Sequence, residues 1–134
     1  MKILKEEGVF IEITNLILSG YNDDESSIIK MCLWIKENLG ADTPLHFSRA
    51  FPSYKLASII ATPVETLQKA RNIALGCGLR YVYVGNVADP AGENTYCPKC
   101  KKLLIARRGN FALENNIIDG RCKFCKEEIA GVWK

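Results

Sequence analysis

Long hydrophobic runs are missing from this sequence of 134 residues. No apolar stretch approaches the roughly 20 residues that a helix needs to cross a bilayer. The opening segment, "MKILKEE", has no apolar signal core, and its acidic residues are atypical of transit peptides. The sequence therefore predicts a cytoplasmic protein with no membrane partner.

Histidine is nearly absent, and neither sign of charge dominates the whole chain. His46 is the only histidine, and a lone histidine is more often structural than functional. The net charge is +3, but residues 1–95 carry nine basic and eleven acidic side chains, whereas residues 96–134 carry nine and four. A turn-rich linker, "ADPAGENT", lies at this boundary. We therefore predict an α/β segment over residues 1–90 and a separate, basic module over residues 91–134.

The first 90 residues alternate between strand and helix patterns. Apolar, β-branched runs predict strands at residues 9–18, 45–51 and 80–87. The helices between them begin at Asn22 and Thr62 as N-caps, the second with Pro63 at its first position. Strand and helix alternation implies right-handed crossovers and a parallel sheet. The first strand is apolar on both faces near its end, so we expect helices to cover it on both sides.

A three-stranded parallel sheet leaves at least one edge open, and an open edge invites pairing with another chain. The segment before the first strand is typical of the last turns of a helix. We therefore interpret the first half as part of a larger structure, and expect either self-association or a missing N-terminal partner half.

Six cysteines in a chain without an export signal indicate reduced thiols or metal ligands rather than disulfides. Four of them form two CxxC pairs separated by a 21-residue spacer: Cys97, Cys100, Cys122 and Cys125. Two such turns facing each other make a tetrahedral four-sulfur site. The spacer alternates apolar stretches with turn pairs at 109–110, 115–116 and 119–120, which predicts a small β-ribbon.

Zinc is the expected metal because it is redox-inert, and iron in a rubredoxin-like site is the alternative. Rubredoxin-like knuckles usually carry glycine after the second cysteine, where this chain has Lys101 and Lys126. Four thiolates fill the tetrahedron and leave no position for substrate, so we predict a structural site. Metal binding would supply the folding free energy of this small module.

The module also carries basic residues interleaved with aromatic ones. They are Lys99, Lys101, Lys102, Arg107, Arg108, Arg121, Lys123 and Lys126, with Tyr96, Phe111, Phe124 and Trp133. One interpretation is a nucleic-acid patch. The other, which we favour, is that these charges offset a zinc tetrathiolate and solvate the ribbon.

Ligands of parallel sheets gather at the carboxyl ends of the strands. This rule directs attention to His46, to Ser19–Asn22 and to Gly85–Asn86, although glycine and asparagine also serve ordinary turns. Cys32 falls on the apolar face of its helix and is predicted to be core, whereas nothing near Cys77 marks an activated thiol.

Several stretches together resemble a known family. They are "IEITNLILSGYNDDESSI", "PLHFSRAFPSYKLASIIATPVETLQKA", "GLRYVYVGNV" and "GENTYCPKC…LLIARRG…GRCKFC…GVW". In this order they resemble the C-terminal half of the AmmeMemoRadiSam-system radical SAM enzymes, which are relatives of the pyruvate formate-lyase activating enzyme. The resemblance covers almost the whole chain, and "YVYVGNV" followed by "GENTYCPKC" is its most specific part.

The resemblance implies the late strands of a partial TIM-type barrel with a metal-binding ribbon appended. It further implies that a full-length relative binds S-adenosylmethionine and a [4Fe-4S] cluster. By the same resemblance, Leu16 and His46 lie beside the adenine of the cofactor, while Thr14 replaces an arginine that contacts its methionine carboxylate.

The cluster motif of that family, CxxxCxxC, is missing, because no three of this chain's cysteines have that spacing. We therefore expect a fragment or remnant of a radical SAM enzyme that is not catalytically competent alone. The alternatives are a zinc-ribbon adaptor for nucleic acid or protein, and a rubredoxin-like electron carrier.

Overall fold

The computed structural model describes residues 1–87, 90–109 and 111–133. Ala88 and Asp89 of the predicted linker, and Asn110 of a predicted turn, lie outside these residues. The helices are α1 (Lys2–Glu6), α2 (Glu25–Asn38), α3 (Val64–Gly76) and α4 (Pro90–Glu93), with one 3₁₀ turn at Tyr54–Leu56. The strands are β1 (Ile13–Ile17), β2 (Leu45–Arg49), β3 (Val82–Gly85), β4 (Thr95–Tyr96), β5 (Leu103–Arg108), β6 (Phe111–Asn115), β7 (Ile117–Ile118) and β8 (Arg121–Cys122).

The first half is a mixed α/β unit around a parallel sheet, as the alternation of patterns predicts. The strand order is β1-β2-β3, and both pairings are parallel. Thr14 lies opposite His46, and His46 lies opposite Tyr83, so these three side chains share one face of the sheet.

The opposite face of the sheet carries the core of this half. Phe47, Ile17 and Val84 project toward α2 and α3 and pack against their buried residues. Those helical residues are Ile28, Cys32, Ile35, Leu67, Ala70 and Ala74. Cys32 is therefore a core residue, as predicted.

The expectation that helices cover β1 on both sides is wrong. Leu16 points away from both long helices, and 46% of it remains exposed. In "NLIL", Ile17 lies on the face of the strand that the helices bury, whereas Leu16 lies on the opposite, partly exposed face.

All three parallel strands are shorter than predicted. The segment preceding β1 does not pair: the N–H of Val9 donates to the carbonyl of Leu4 at 2.9 Å and closes the turn after α1. Pairing then begins at Ile13, whose N–H bonds the carbonyl of Pro44. All of β1 pairs with all of β2, and all of β3 pairs with Leu45–Ser48 of β2.

Asn22 is not the N-cap of α2. Its side chain closes the turn after β1, accepting from the N–H of Leu18 at 2.7 Å and donating to the carbonyl of Leu16 at 2.9 Å. Asp24 caps the helix, because its carboxylate accepts hydrogen bonds from the N–H of Ser27 and the hydroxyl of Ser26. Hydrogen bonds from Ser27, then from Ser26, lower the pKa of Asp24 to about 2.

Thr62 does not cap α3 either. Its hydroxyl donates to the carbonyl of Ile17 at 2.6 Å and is fully buried, so it joins the loop before α3 to the end of β1. Pro63 takes the capping position without a side-chain hydrogen bond. At the other end, Gly76 is the last helical residue, and the left-handed residue that ends the turn is Gly78, at φ 95°.

The second half consists of antiparallel strands, as expected for a ribbon. One sheet has the order β4-β5-β6, and β7 pairs with β8. Each sheet brings one CxxC turn to the same place: Cys97 follows β4, and Cys122 ends β8.

Candidate metal centre

The two CxxC turns have the same backbone geometry. The N–H of Lys101 donates to the carbonyl of Cys97 at 3.0 Å, and the N–H of Lys126 donates to that of Cys122 at 2.9 Å. Lys101 and Lys126 have φ of 61° and 63°, in the left-handed region that favours glycine. The lysines therefore adopt the glycine conformation of such knuckles at some cost in backbone strain.

The four cysteine sulfurs lie together in an arrangement that fits one metal ion. All four Sγ atoms lie within 4.8 Å of one another. Two pairs between the turns are closer: Cys97 to Cys125 at 3.5 Å, and Cys100 to Cys122 at 3.8 Å. A zinc tetrathiolate with bonds of about 2.3 Å has sulfurs about 3.8 Å apart. This cluster could hold a metal ion such as zinc, and its four sulfurs would complete the coordination.

Backbone donors favour the thiolate form of Cys122. Desolvation alone would raise the pKa of Cys122, but hydrogen bonds from the backbone N–H groups of Cys125 and Phe124 lower it to about 7. All six cysteines, which fall within the described ranges, are free thiols. A metal ion requires deprotonated cysteines, so this environment suits metal binding.

Most of the basic residues of the ribbon already have local contacts. Lys99 pairs with Glu127 at 3.2 Å, and the hydrogen bond to Glu127 raises the pKa of Lys99. Lys101 donates to the carbonyl of Pro98, and Lys102 lies 4.7 Å from the ring centre of Phe124. These contacts lie next to the four thiols, and Glu127 already offsets the charge of Lys99.

The ribbon and the parallel sheet share a second core. Tyr81, just before β3, is 5% exposed and packs with Cys97, Cys122, Leu104 and Ile129. Its hydroxyl accepts from the N–H of Ala130 at 3.4 Å, and desolvation raises its pKa to about 12. The sulfur cluster is therefore continuous with the start of β3.

His46 has partners that the sequence analysis missed. Its Nε2 lies 3.1 Å from the carboxylate of Glu12. Its ring stacks on Tyr83, with centroids 4.9 Å apart and planes 23° apart. The alternation Tyr81-Val82-Tyr83-Val84 carried a usable signal, because a period of two places both tyrosines on one face of the strand.

Tyr83 is also held from the ribbon side. Its hydroxyl lies 3.0 Å from Oγ1 of Thr95, and the guanidinium of Arg107 lies 5.7 Å from its ring centre. Arg107 donates to the same Thr95 oxygen at 2.6 Å. Desolvation raises the pKa of Tyr83, which keeps its hydroxyl neutral.

A cavity of about 870 Å³ opens between the sheet and the ribbon. The sheet side contributes Glu12, His46 and Tyr83, and the ribbon side contributes Arg107 and Trp133. This volume falls in the range of small-molecule sites. The family resemblance places Leu16 and His46 beside the adenine of the cofactor. The two residues lie on one sheet face, but only His46 lines the cavity.

Among the remaining residues at the carboxyl ends of the strands, Gly20 and Asn22 serve a turn, whereas Gly85 and Asn86 also line the cavity beside His46. Gly20 has φ 80°, and its N–H donates to the carboxylate of Asp23. Asn86 has φ 60°, and its amide donates to the carbonyl of Arg49 at 3.2 Å. Cys77 is half-buried and packs against the core that contains Cys32.

Comparison with known proteins identifies a longer relative. The chain is 46% identical over 133 residues to a protein of Methanocaldococcus jannaschii that is described only as uncharacterized. The match covers 96% of this chain but 39% of that protein, so the chain spans about two fifths of its length. No family model matches the chain. Within the described ranges, no helix combines the length and hydrophobicity that crossing a membrane requires.

Proposed function

We propose that this chain is the C-terminal part of a radical SAM enzyme, in which β1 to β3 are late strands of a partial TIM-type barrel. The one-sided sheet carries this proposal. Both long helices pack on one face, while the other face presents His46 and Leu16 and remains partly open. In TIM-type barrels the helices form the outer layer, the inner face of the strands lines the barrel interior, and the site lies at the carboxyl ends of the strands. The free edge of β1, unpaired among the described strands, is where further strands would add.

The motifs at the ends of the strands and the longer archaeal relative add support. The resemblance to the AmmeMemoRadiSam-system enzymes covers both the sheet and the ribbon. The relative matches almost all of this chain and more than doubles its length, which is enough for the additional strands of a barrel. On this proposal S-adenosylmethionine lies along the face of His46, with Leu16 near its adenine.

The ribbon would hold one structural zinc ion through Cys97, Cys100, Cys122 and Cys125. A closed four-sulfur site stabilises structure and offers no open position for chemistry. The radical chemistry of the family needs a cluster with one open iron, which the CxxxCxxC motif supplies and this chain does not contain. We therefore propose that the chain is inactive alone and requires the other part of the barrel.

Anaerobic reconstitution with iron and sulfide tests this proposal. The archaeal relative is expected to acquire a [4Fe-4S] cluster, detected by electron paramagnetic resonance, and to cleave S-adenosylmethionine to 5′-deoxyadenosine. This chain, treated in the same way, is expected to do neither while retaining zinc. A relative that takes up no cluster would contradict the proposal.

The same preparations separate the alternatives. A red protein with one iron per chain would favour an electron carrier of the rubredoxin type, whereas colourless zinc protein would exclude it. Tight nucleic-acid binding that weakens steeply with salt would favour an adaptor.

A further inference from the structure

We propose that Tyr83 is a positioning residue through which the metal centre fixes the imidazole of His46 and the wall of the cavity beside it. This inference rests on the zinc site proposed above and on contacts among the described residues, and it is independent of the radical SAM assignment. It assigns to the ribbon a second role, in addition to holding its own fold.

The sulfur cluster and the start of β3 pack together in one buried cluster. Tyr81 packs in the same cluster as Cys97 and Cys122, and Tyr83 packs against that cluster from the same strand face. Because metal binding fixes the two CxxC turns, it also fixes the surface on which this part of β3 rests. Displacing the turns would remove that support.

Tyr83 is contacted from both the ribbon and the sheet. Thr95 and Arg107 hold it from the ribbon side, by a hydroxyl contact at 3.0 Å and a guanidinium 5.7 Å from the ring centre. On the sheet side its ring stacks on His46. Arg107 is itself fixed by hydrogen bonds to Thr95 and to the carbonyl of Glu93 at 3.3 Å. The polar and guanidinium contacts to Tyr83 from the ribbon side thus come from residues of β4 and β5.

The core of the α/β half is formed without any residue of the ribbon. Its buried cluster is formed by residues between Ile17 and Val84 and includes none of the four clustered cysteines. Removal of the metal is therefore expected to release Tyr83 without unfolding α2 and α3. The imidazole of His46 would then keep Glu12 and lose its stacking partner.

Because His46 is the only histidine, its ring protons give a single, assignable set of signals in a nuclear magnetic resonance spectrum. In the zinc-loaded full chain, the ring current of stacked Tyr83 shields these protons. We expect chelation of zinc with EDTA to move both ring signals downfield, while the methyl signals of Ile35 and Leu67 in the separate core stay dispersed. Unmoved His46 signals, together with collapse of the ribbon signals, would overturn the proposal, and so would collapse of the α/β core.

Three variants assign the effect to Tyr83. Zinc-loaded Tyr83→Leu is expected to show the downfield His46 signals before chelation and no further shift after it. Tyr83→Phe keeps a ring for stacking and is expected to retain the shielded signals. Tyr21→Leu, a change at a tyrosine that is 80% exposed, is the matched control and should behave as the parent chain. A full chelation shift in zinc-loaded Tyr83→Leu would show that another route connects the metal to His46 and would overturn the assignment. If Tyr83→Leu does not fold, the chelation shift of the parent chain and the His46 signals of Tyr83→Phe still test the proposal.

Discussion

The two halves of this molecule bury very different amounts of apolar side chain. The α/β half buries a continuous apolar cluster between one sheet face and two helices, with Phe47, Ile17 and Leu67 each fully buried. The ribbon has strands of two to six residues, and β6 is exposed along its whole length. Its centre is a group of four sulfurs with a few aliphatic neighbours.

This difference indicates where the free energy of folding of each half originates. Burial of apolar area contributes about 25 cal/mol per Å², so a core of large side chains is sufficient for the α/β half. The ribbon buries too few such side chains, and a metal bound by thiolates supplies on the order of 10 kcal/mol in comparable small modules. Changes to the thiols and changes to the apolar core should therefore affect separate halves.

The largest expected effect follows from Cys122→Ser. This change removes one of four thiolates, so the chain should lose its stoichiometric zinc and the ribbon should unfold. Metal analysis and dispersion of the ribbon signals would show both losses, while the circular dichroism of α2 and α3 should remain. Cys77→Ser, outside the cluster, should retain zinc. Zinc retained at full occupancy by Cys122→Ser would show that the Cys122 thiolate is not needed to bind the metal.

A change of the opposite kind is Phe47→Ala in the apolar core. A cavity at a fully buried phenylalanine should cost about 3–5 kcal/mol in the free energy of unfolding of the α/β half. Thermal denaturation followed by helix circular dichroism would measure it, and zinc content should stay unchanged. Phe51→Ala, at a phenylalanine that is 49% exposed, is the matched control and should change little. Loss of zinc from Phe47→Ala would mean that the halves do not fold separately.

Tyr81→Phe tests the contact between β3 and the ribbon. It removes a buried hydroxyl that accepts from the N–H of Ala130 and leaves that donor without its partner. We expect a loss of about 1 kcal/mol, seen as faster release of zinc to a chelator rather than as a lower melting temperature of the helices. An unchanged release rate would show that this contact does not hold the ribbon to β3.

The smallest expected effect is a gain. Lys126→Gly relieves a left-handed residue of its Cβ strain, offset in part by the flexibility of glycine in the unfolded chain, and should stabilise the ribbon by about 0.5 kcal/mol. Resistance of the metal site to chelation would measure it. Lys123→Gly, at a residue without positive φ, should destabilise instead. Equal effects of the two changes would contradict the strain argument.

The parts of the structure that follow from local pattern were predictable. Alternation of strand and helix patterns predicts the parallel sheet, and the two CxxC pairs predict the sulfur cluster. Both predictions rest on short sequence patterns, and each pattern is compatible with few other structures. The mixed α/β architecture with its parallel sheet, the cysteine cluster and the place of Cys32 were therefore accessible from sequence.

The parts that depend on distant residues were not. Asn22 and Thr62 are both good capping residues, but each has a stronger partner elsewhere: Asn22 in the turn after β1, and Thr62 at the carbonyl of Ile17. The pairing of His46 with Glu12 joins residues 34 positions apart, and its stack on Tyr83 requires the register of β2 with β3. Local propensity contains no information on these contacts, which only the assembled sheet brings together.

X-ray absorption at the metal edge of the purified chain would identify both the metal and its ligands. We expect one zinc ion per chain, surrounded by four sulfurs at about 2.3 Å with no lighter neighbour. An oxygen or nitrogen ligand in the first coordination sphere, or an iron–sulfur cluster at these cysteines, would contradict this expectation.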